Sequence, residues 1–212
     1  MCVIIQRSYN SGYSHWQPGG TSGKEQEMKK ALIIVMAVVL ATTVLSVAGC
    51  GDTSKAQEYM KAGDAATIEL EGYTKKAESG LDEFLIELGV DLTVSDTPTL
   101  ETAVKAANEQ LDSLIAEAKK GKAEYEKILD LEGVDEYQKY ANLRISALDN
   151  TVVVLEGLRD LLDQLVKASA DGKSLTDEMK TWTEENTDVV AALAKAIAYW
   201  VDAATYKSNN NL

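Results

Sequence analysis

The chain has 212 residues, a formal net charge of −13 and two cysteines, Cys2 and Cys50. Four of its 21 basic residues (Arg7, Lys24, Lys29, Lys30) and two of its 34 acidic ones (Glu25, Glu27) precede Cys50, so 17 basic and 32 acidic residues follow it, a net −15. A surface of that sign repels phosphate backbones and excludes nucleic acid as a partner, and with no cysteine beyond Cys50 the fold must stand on its apolar core rather than on disulfides.

Residues 1–27 are polar, rich in Gly and Ser, and precede what reads as a complete export signal. They are expected to be an untranslated or disordered extension, since Lys24-Glu25 can be encoded as AAG-GAG, a ribosome-binding sequence just before the Met28 codon. From Met28 the order is Lys29-Lys30, then an uncharged apolar run from Ala31 to Ala48 that closes on small residues. That order predicts a secretory signal peptide over 28–49. The run approaches the length of a membrane-spanning helix, and its last residues decide between the two readings.

Val47-Ala48-Gly49-Cys50 resembles the lipobox of bacterial lipoproteins, which usually has Leu where this chain has Val47. The resemblance covers residues 28–50 only. It implies transfer of a diacylglyceryl group to the Cys50 thiol and cleavage between Gly49 and Cys50. Two or three acyl chains, at about 0.8 kcal/mol per buried methylene, hold a protein stably on a bilayer where one does not. The partner implied is therefore a bacterial membrane, reached through the lipid on Cys50, with the rest of the chain extracytoplasmic.

A short tether, 50–54, leads to Ser54-Lys55-Ala56-Gln57, a capping-box pattern that predicts a helix start. Apolar and small residues then recur in steps of three and four through Ala56, Tyr59, Gly63, Ala66, Leu70, Tyr73, Ala77, Leu81, Phe84 and Leu88, one helix over 55–88 that Gly89 ends. Asp96 or Thr97 caps a second helix over 98–131, with Pro98 in its first turn. Asp135-Glu136-Tyr137-Gln138 opens a third over 136–169, whose apolar face, widened by Val153, Val154 and Leu161, predicts the most buried element. The turn at Gly172 and a capping signal at Ser174 introduce a fourth over 175–206, and residues 208–212 are expected to fray.

Four helices of about 45–55 Å at 1.5 Å per residue, joined by short connections, predict an all-α, up-down-up-down antiparallel four-helix bundle over 55–207. The short tether sets its expected orientation. The 131–134 connection and the C-terminal end should lie near the bilayer, and the 89–97 and 170–173 connections away from it.

The only histidine is His15, ahead of the signal. A processed chain without histidine, and with its one cysteine lipidated, has no Ser-His-Asp or Cys-His catalysis and no thiolate or imidazole metal site. No phosphate loop or EF-hand spacing is present either. Adjacent carboxylates at Asp82-Glu83, Asp135-Glu136 and Glu184-Glu185 diverge by about 100° on a helix, so they read as solvated faces rather than as an acid/base pair. Asp91, Asp96 and Glu101 read as loop and cap residues before they read as calcium ligands.

Trp182 and Trp200 are expected in the core; Tyr199, Trp200 and Tyr206 are alternatively suited to a membrane surface. Asn186, on the fourth stripe, and Arg144, at the border of the third, set helix register or face a ligand cavity. The expectation for function is a non-enzymatic lipoprotein without cofactor, metal or catalytic residues, which binds another envelope protein or has a structural role. The alternative is a small-ligand or sensory module that uses the bundle core or the distal loops.

Overall fold

The computed structural model describes residues 51–77, 80–94 and 96–212. The expected N-terminal extension (1–27), the expected signal peptide (28–49) and the expected lipid-attachment residue Cys50 lie outside them. The described residues are all helical, with turns and no strand: α1 over 51–66, α2 Ile68–Ala77, α3 Leu81–Glu87, α4 Thr97–Leu129, α5 Asp135–Ala170, α6 Leu175–Glu185 and α7 Thr187–Asn210.

The two middle helices are long and unbroken, at 33 and 36 residues. Asp96 caps α4 by accepting a hydrogen bond from the Thr99 amide at 3.1 Å, with Pro98 in the first turn. Gly133, at φ 68°, supplies the left-handed step after α4. The Gln138 side chain then bridges back to the carbonyls of Leu131 and Leu129 at 2.7 and 3.1 Å, which ties the turn to the start of α5. Leu148, Leu155, Leu158, Leu162 and Leu165 of α5 are buried, and α5 packs along both α4 and α7. Val153 does not join that face; it is 43% exposed.

The first predicted helix is interrupted twice. At Thr67 the backbone amide reaches Asp64 O at 3.3 Å, a tighter turn than the helical one, while the hydroxyl donates back to Gly63 O at 3.0 Å. Such back-bonding competes with the helical ladder and bends helices. The second interruption is at Gly80, whose φ of 144° is open to glycine and strained for other residues. The expected start also shifts, because residues 51–54 are already helical and Lys55 pairs with Asp52 one turn earlier, so Ser54 is not a cap.

The fourth predicted helix divides at Asn186. Its side-chain amide and its backbone amide both donate to Trp182 O, at 2.9 Å each, closing α6 before α7 starts. Nor does the C-terminal segment fray: α7 continues to Asn210, Asn211 takes the left-handed conformation, and the Leu212 amide bonds Lys207 O at 3.1 Å. By length and composition α7 could cross a membrane. Its stripe of Val189, Ala192, Ala196, Trp200 and Ala203 is buried, as expected of a core helix.

Contacts between residues distant in sequence sort these helix ends into two groups. Thr97 and Ser169 share a hydrogen bond of 2.9 Å. At the other end of α5 the Gln57 side chain of α1 donates to the Tyr137 hydroxyl at 3.0 Å, and Tyr206 of α7 bonds Glu136.

Candidate ligand site

The most highly connected polar group in the described residues is built from elements the sequence spaces far apart: Asp64 in α1, Thr67 at the break, Glu71 in α2, Tyr125 in α4, Tyr140 and Arg144 in α5, and Lys207 in α7. Two glycines let these helices close on one another. A Cβ on Gly63 would come within 2.7 Å of the Tyr125 ring, and one on Gly121 would overlap the Thr67 methyl. Replacing either would force the helices apart just where the polar groups meet.

Arg144 is at the centre and only 4% exposed. Its Nε donates to the Tyr125 hydroxyl at 3.0 Å and its Nη2 to the Thr67 hydroxyl at 2.8 Å. The Trp200 ring lies 3.9 Å from the guanidinium carbon, a stacked cation–π contact. Nη1 makes only a 3.6 Å ion contact with Glu71, which is longer than a hydrogen bond. The buried cation is thus held on two edges and stacked on one face, leaving its third edge without a close acceptor.

Asp64 supplies the countercharge. It accepts from Tyr125 at 2.6 Å, from Tyr140 at 2.7 Å and from Lys207 Nζ at 2.6 Å, and stands 3.7 Å from Arg144. Burial alone would raise its pKa. The Lys207 bond, the two phenols and the guanidinium outweigh burial and hold it below the ordinary carboxylate value. Burial drives Tyr125 and Tyr140 strongly upward; Arg144 opposes this and Asp64 reinforces it. The two phenols therefore stay neutral donors.

A recess of about 480 Å³ opens beside this group, bordered by Asp64, Glu71, Tyr140, Arg144, Lys207 and the last turn of α7. Its size is within the usual range for small-molecule sites, about 300–1,000 Å³.

Of the two polar positions singled out from sequence, Arg144 is in this group and Asn186 is not, because Asn186 is consumed in the α6–α7 junction. Trp182 and Trp200 are buried, their indole N–H groups directed to Asp160 at 3.2 Å and Thr151 at 3.4 Å. Asp91 is engaged by the Thr93 amide and hydroxyl at 2.8 and 2.7 Å, and Asp96 by its cap. No set of three or more metal-ligating side chains occurs among the described residues. The adjacent carboxylate pairs are exposed.

One convergent pair escaped the adjacency argument, because it forms across α2 and α4. Glu117 has a buried oxygen without a hydrogen-bond partner, and burial together with the neighbouring Glu69 raises its pKa. Glu69 borders a shallow groove of about 350 Å³ whose lining does not include Glu117.

Asp64, Glu71, Tyr140 and Lys207 carried no separate signal in the sequence. Asp64 follows Gly63, which is on the first apolar stripe, but nothing local marks it as the partner of a buried arginine. No protein family, curated protein or solved structure matches the chain.

Proposed function

We propose that the chain is a bacterial lipoprotein, cleaved between Gly49 and Cys50 and held by the lipid on Cys50, whose extracytoplasmic helices act by binding rather than by catalysis. The ordered succession of Lys29-Lys30, the apolar run and Val47-Ala48-Gly49-Cys50 supports the anchor. We further propose that the helices form an up-down-up-down bundle, with α1, α2 and α3 as one leg and α6 with α7 as another. The two groups of end contacts, Thr97 with Ser169 and Gln57 with Tyr137, support that path.

Of the two binding readings, an envelope protein or a small solute, the recess favours the solute. The carrying observation is Arg144, a buried guanidinium that borders an open cavity with one edge lacking a close hydrogen-bond acceptor. A purely structural ion pair is usually satisfied on all its polar edges, since each unmade bond to a buried charge is costly.

Mass spectrometry of the N-terminal peptide tests the anchor: a lipid-modified Cys50 is expected, and an unmodified Cys50 still joined to Gly49 overturns it. Native mass spectrometry of the full chain in mild detergent tests the binding reading, with a co-purifying small molecule expected. Cross-linking in cells to one dominant protein, with no small molecule retained, would reverse the preference.

A further inference from the structure

We propose that the outer face of α7 is a self-association surface, on which a second copy of this chain packs its own α7 antiparallel. The proposal stands apart from the recess and from what the recess holds.

The buried stripe of α7 faces α5. The opposite side carries Thr187, Ala191, Ala194, Ala198, Val201 and Thr205, all of them exposed, Val201 at 52%. These positions recur in alternating steps of four and three, which is the spacing of a two-helix coiled-coil seam. Val190, also exposed, and the half-buried Ile197 widen the apolar surface along one edge.

The charges along the other edge identify the occupant. Asp188, Lys195 and Asp202 are exposed there at intervals of seven residues, and among the described residues neither Lys195 nor Asp202 has an ion pair or a side-chain hydrogen bond. α7 as a whole has two acids and two bases in a chain at −13, so it offers a neutral surface on which two acidic copies can meet.

Register follows from those charges. In an antiparallel pair that sets Ala198 beside Val201 of the second copy, Lys195 falls beside Asp202 of that copy, and the two-fold symmetry repeats the match. Asp188 then meets Asn209, an uncharged donor, and Ile197 meets Ala204. Setting Ala198 beside Ala194 instead brings the two Lys195 side chains together. A shift that pairs Lys195 with Asp188 matches charge but overlaps only the first half of α7 and leaves Val201 uncovered. Parallel alignment puts Lys195 beside Val190 and Asp202 beside Ile197, an apolar neighbour for each charge. Copies anchored in one bilayer pair antiparallel when α7 lies along the membrane surface, since upright neighbours would meet parallel.

The test is sedimentation of the full chain in mild detergent from about 1 to 100 µM, across which the mass is expected to pass from one copy to two. Lys195→Asp and Asp202→Lys are each expected to weaken the dimer by about tenfold, because each sets two like-charged pairs across the interface, and the double variant is expected to restore it. Both side chains are exposed and unpaired, so the fold does not depend on them. On mild oxidation Ala198→Cys is expected to link two copies, with the joined peptide identified by mass spectrometry. Ala191→Cys is not, because its two sulfurs would stand about 25 Å apart at 1.5 Å per residue.

A chain that stays monomeric over that range overturns the proposal, as does a dimer indifferent to both charge reversals. Ala191→Cys linking as readily as Ala198→Cys overturns the antiparallel arrangement. A polarity-sensitive label on Ala198→Cys that is shielded only by added lipid vesicles, with no dimer formed, assigns the face to the membrane and overturns the proposal as well.

Discussion

The α4–α5 pair and the α1–α3 segment solve the same packing problem in different ways. In α4 and α5 the apolar stripe is continuous, the caps are local, and helices of 33 and 36 residues run without a break. Over a comparable length the first segment is interrupted at Thr67 and at Gly80. The Thr67 interruption coincides with the polar group around Arg144, whose guanidinium bonds the Thr67 hydroxyl. A straight apolar leg has no acceptor to offer a buried arginine; a bent one brings in the Thr67 hydroxyl and the Asp64 carboxylate. Regularity is relinquished where a charge must be solvated from within.

The largest effect should come from removing that charge. Arg144→Met leaves Asp64 without its buried counterion and Tyr125 and Thr67 without their donor, and is expected to cost about 3–5 kcal/mol in urea denaturation. A loss under about 1 kcal/mol, the range of a surface ion pair, would mean that the bend does not depend on the charge.

Next come the glycines. Gly63→Ala and Gly121→Ala drive a methyl into the Tyr125 ring and the Thr67 side chain and are expected to cost about 1–3 kcal/mol each. Gly72→Ala, in α2 with nothing within 4 Å of the added carbon, should stabilise by about 0.5–1 kcal/mol. Equal effects at all three positions would contradict the close approach of α1 and α4.

Acid titration separates two carboxylates of opposite behaviour. The folded-state pKa of Asp64 is depressed, so its contribution is complete above the ordinary value near 3.8 and is lost as the pH falls through that value and below it. For Glu117 the folded pKa is raised above 4.5, so the fold binds its proton more tightly than the unfolded chain does, and stability declines as pH rises through that interval. Stability should therefore peak on the mildly acid side. Glu117→Gln should flatten the neutral limb and Asp64→Asn the acid limb, both read from the denaturation midpoint against pH. A profile unchanged by either substitution would exclude them as its source.

The smallest effect tests the regular region. Asp96→Ala removes the cap on the Thr99 amide and should cost about 1 kcal/mol by thermal melting, without altering the Arg144 environment as seen in Trp200 emission.

The long middle helices were legible because their information is local: a three-and-four apolar rhythm, a cap at Asp96, and glycines at 133 and 172 with φ of 68°. The helical class and the absence of any histidine after His15 were equally readable. The divided legs were less so. A Thr inside an amphipathic stripe bends a helix only if something across the core asks for its hydroxyl, and Asn186 closes α6 by folding its amide onto the Trp182 carbonyl. Periodicity runs through both positions undisturbed. The tail failed for a related reason, since its Asn run supplies a left-handed cap while Lys207 is tied to Asp64, 143 residues earlier.

Composition and periodicity therefore determine that this chain is helical, acidic, poor in catalytic side chains, and preceded by a segment resembling a lipoprotein signal. The meeting of Asp64, Tyr125, Tyr140, Arg144 and Lys207, and the recess beside them, came from the way the helices cross. Helical rhythm records which face of a helix is buried, because burial is paid for residue by residue along one element. It cannot record which residue of another helix stands opposite, and a buried arginine takes its meaning from those opposite groups.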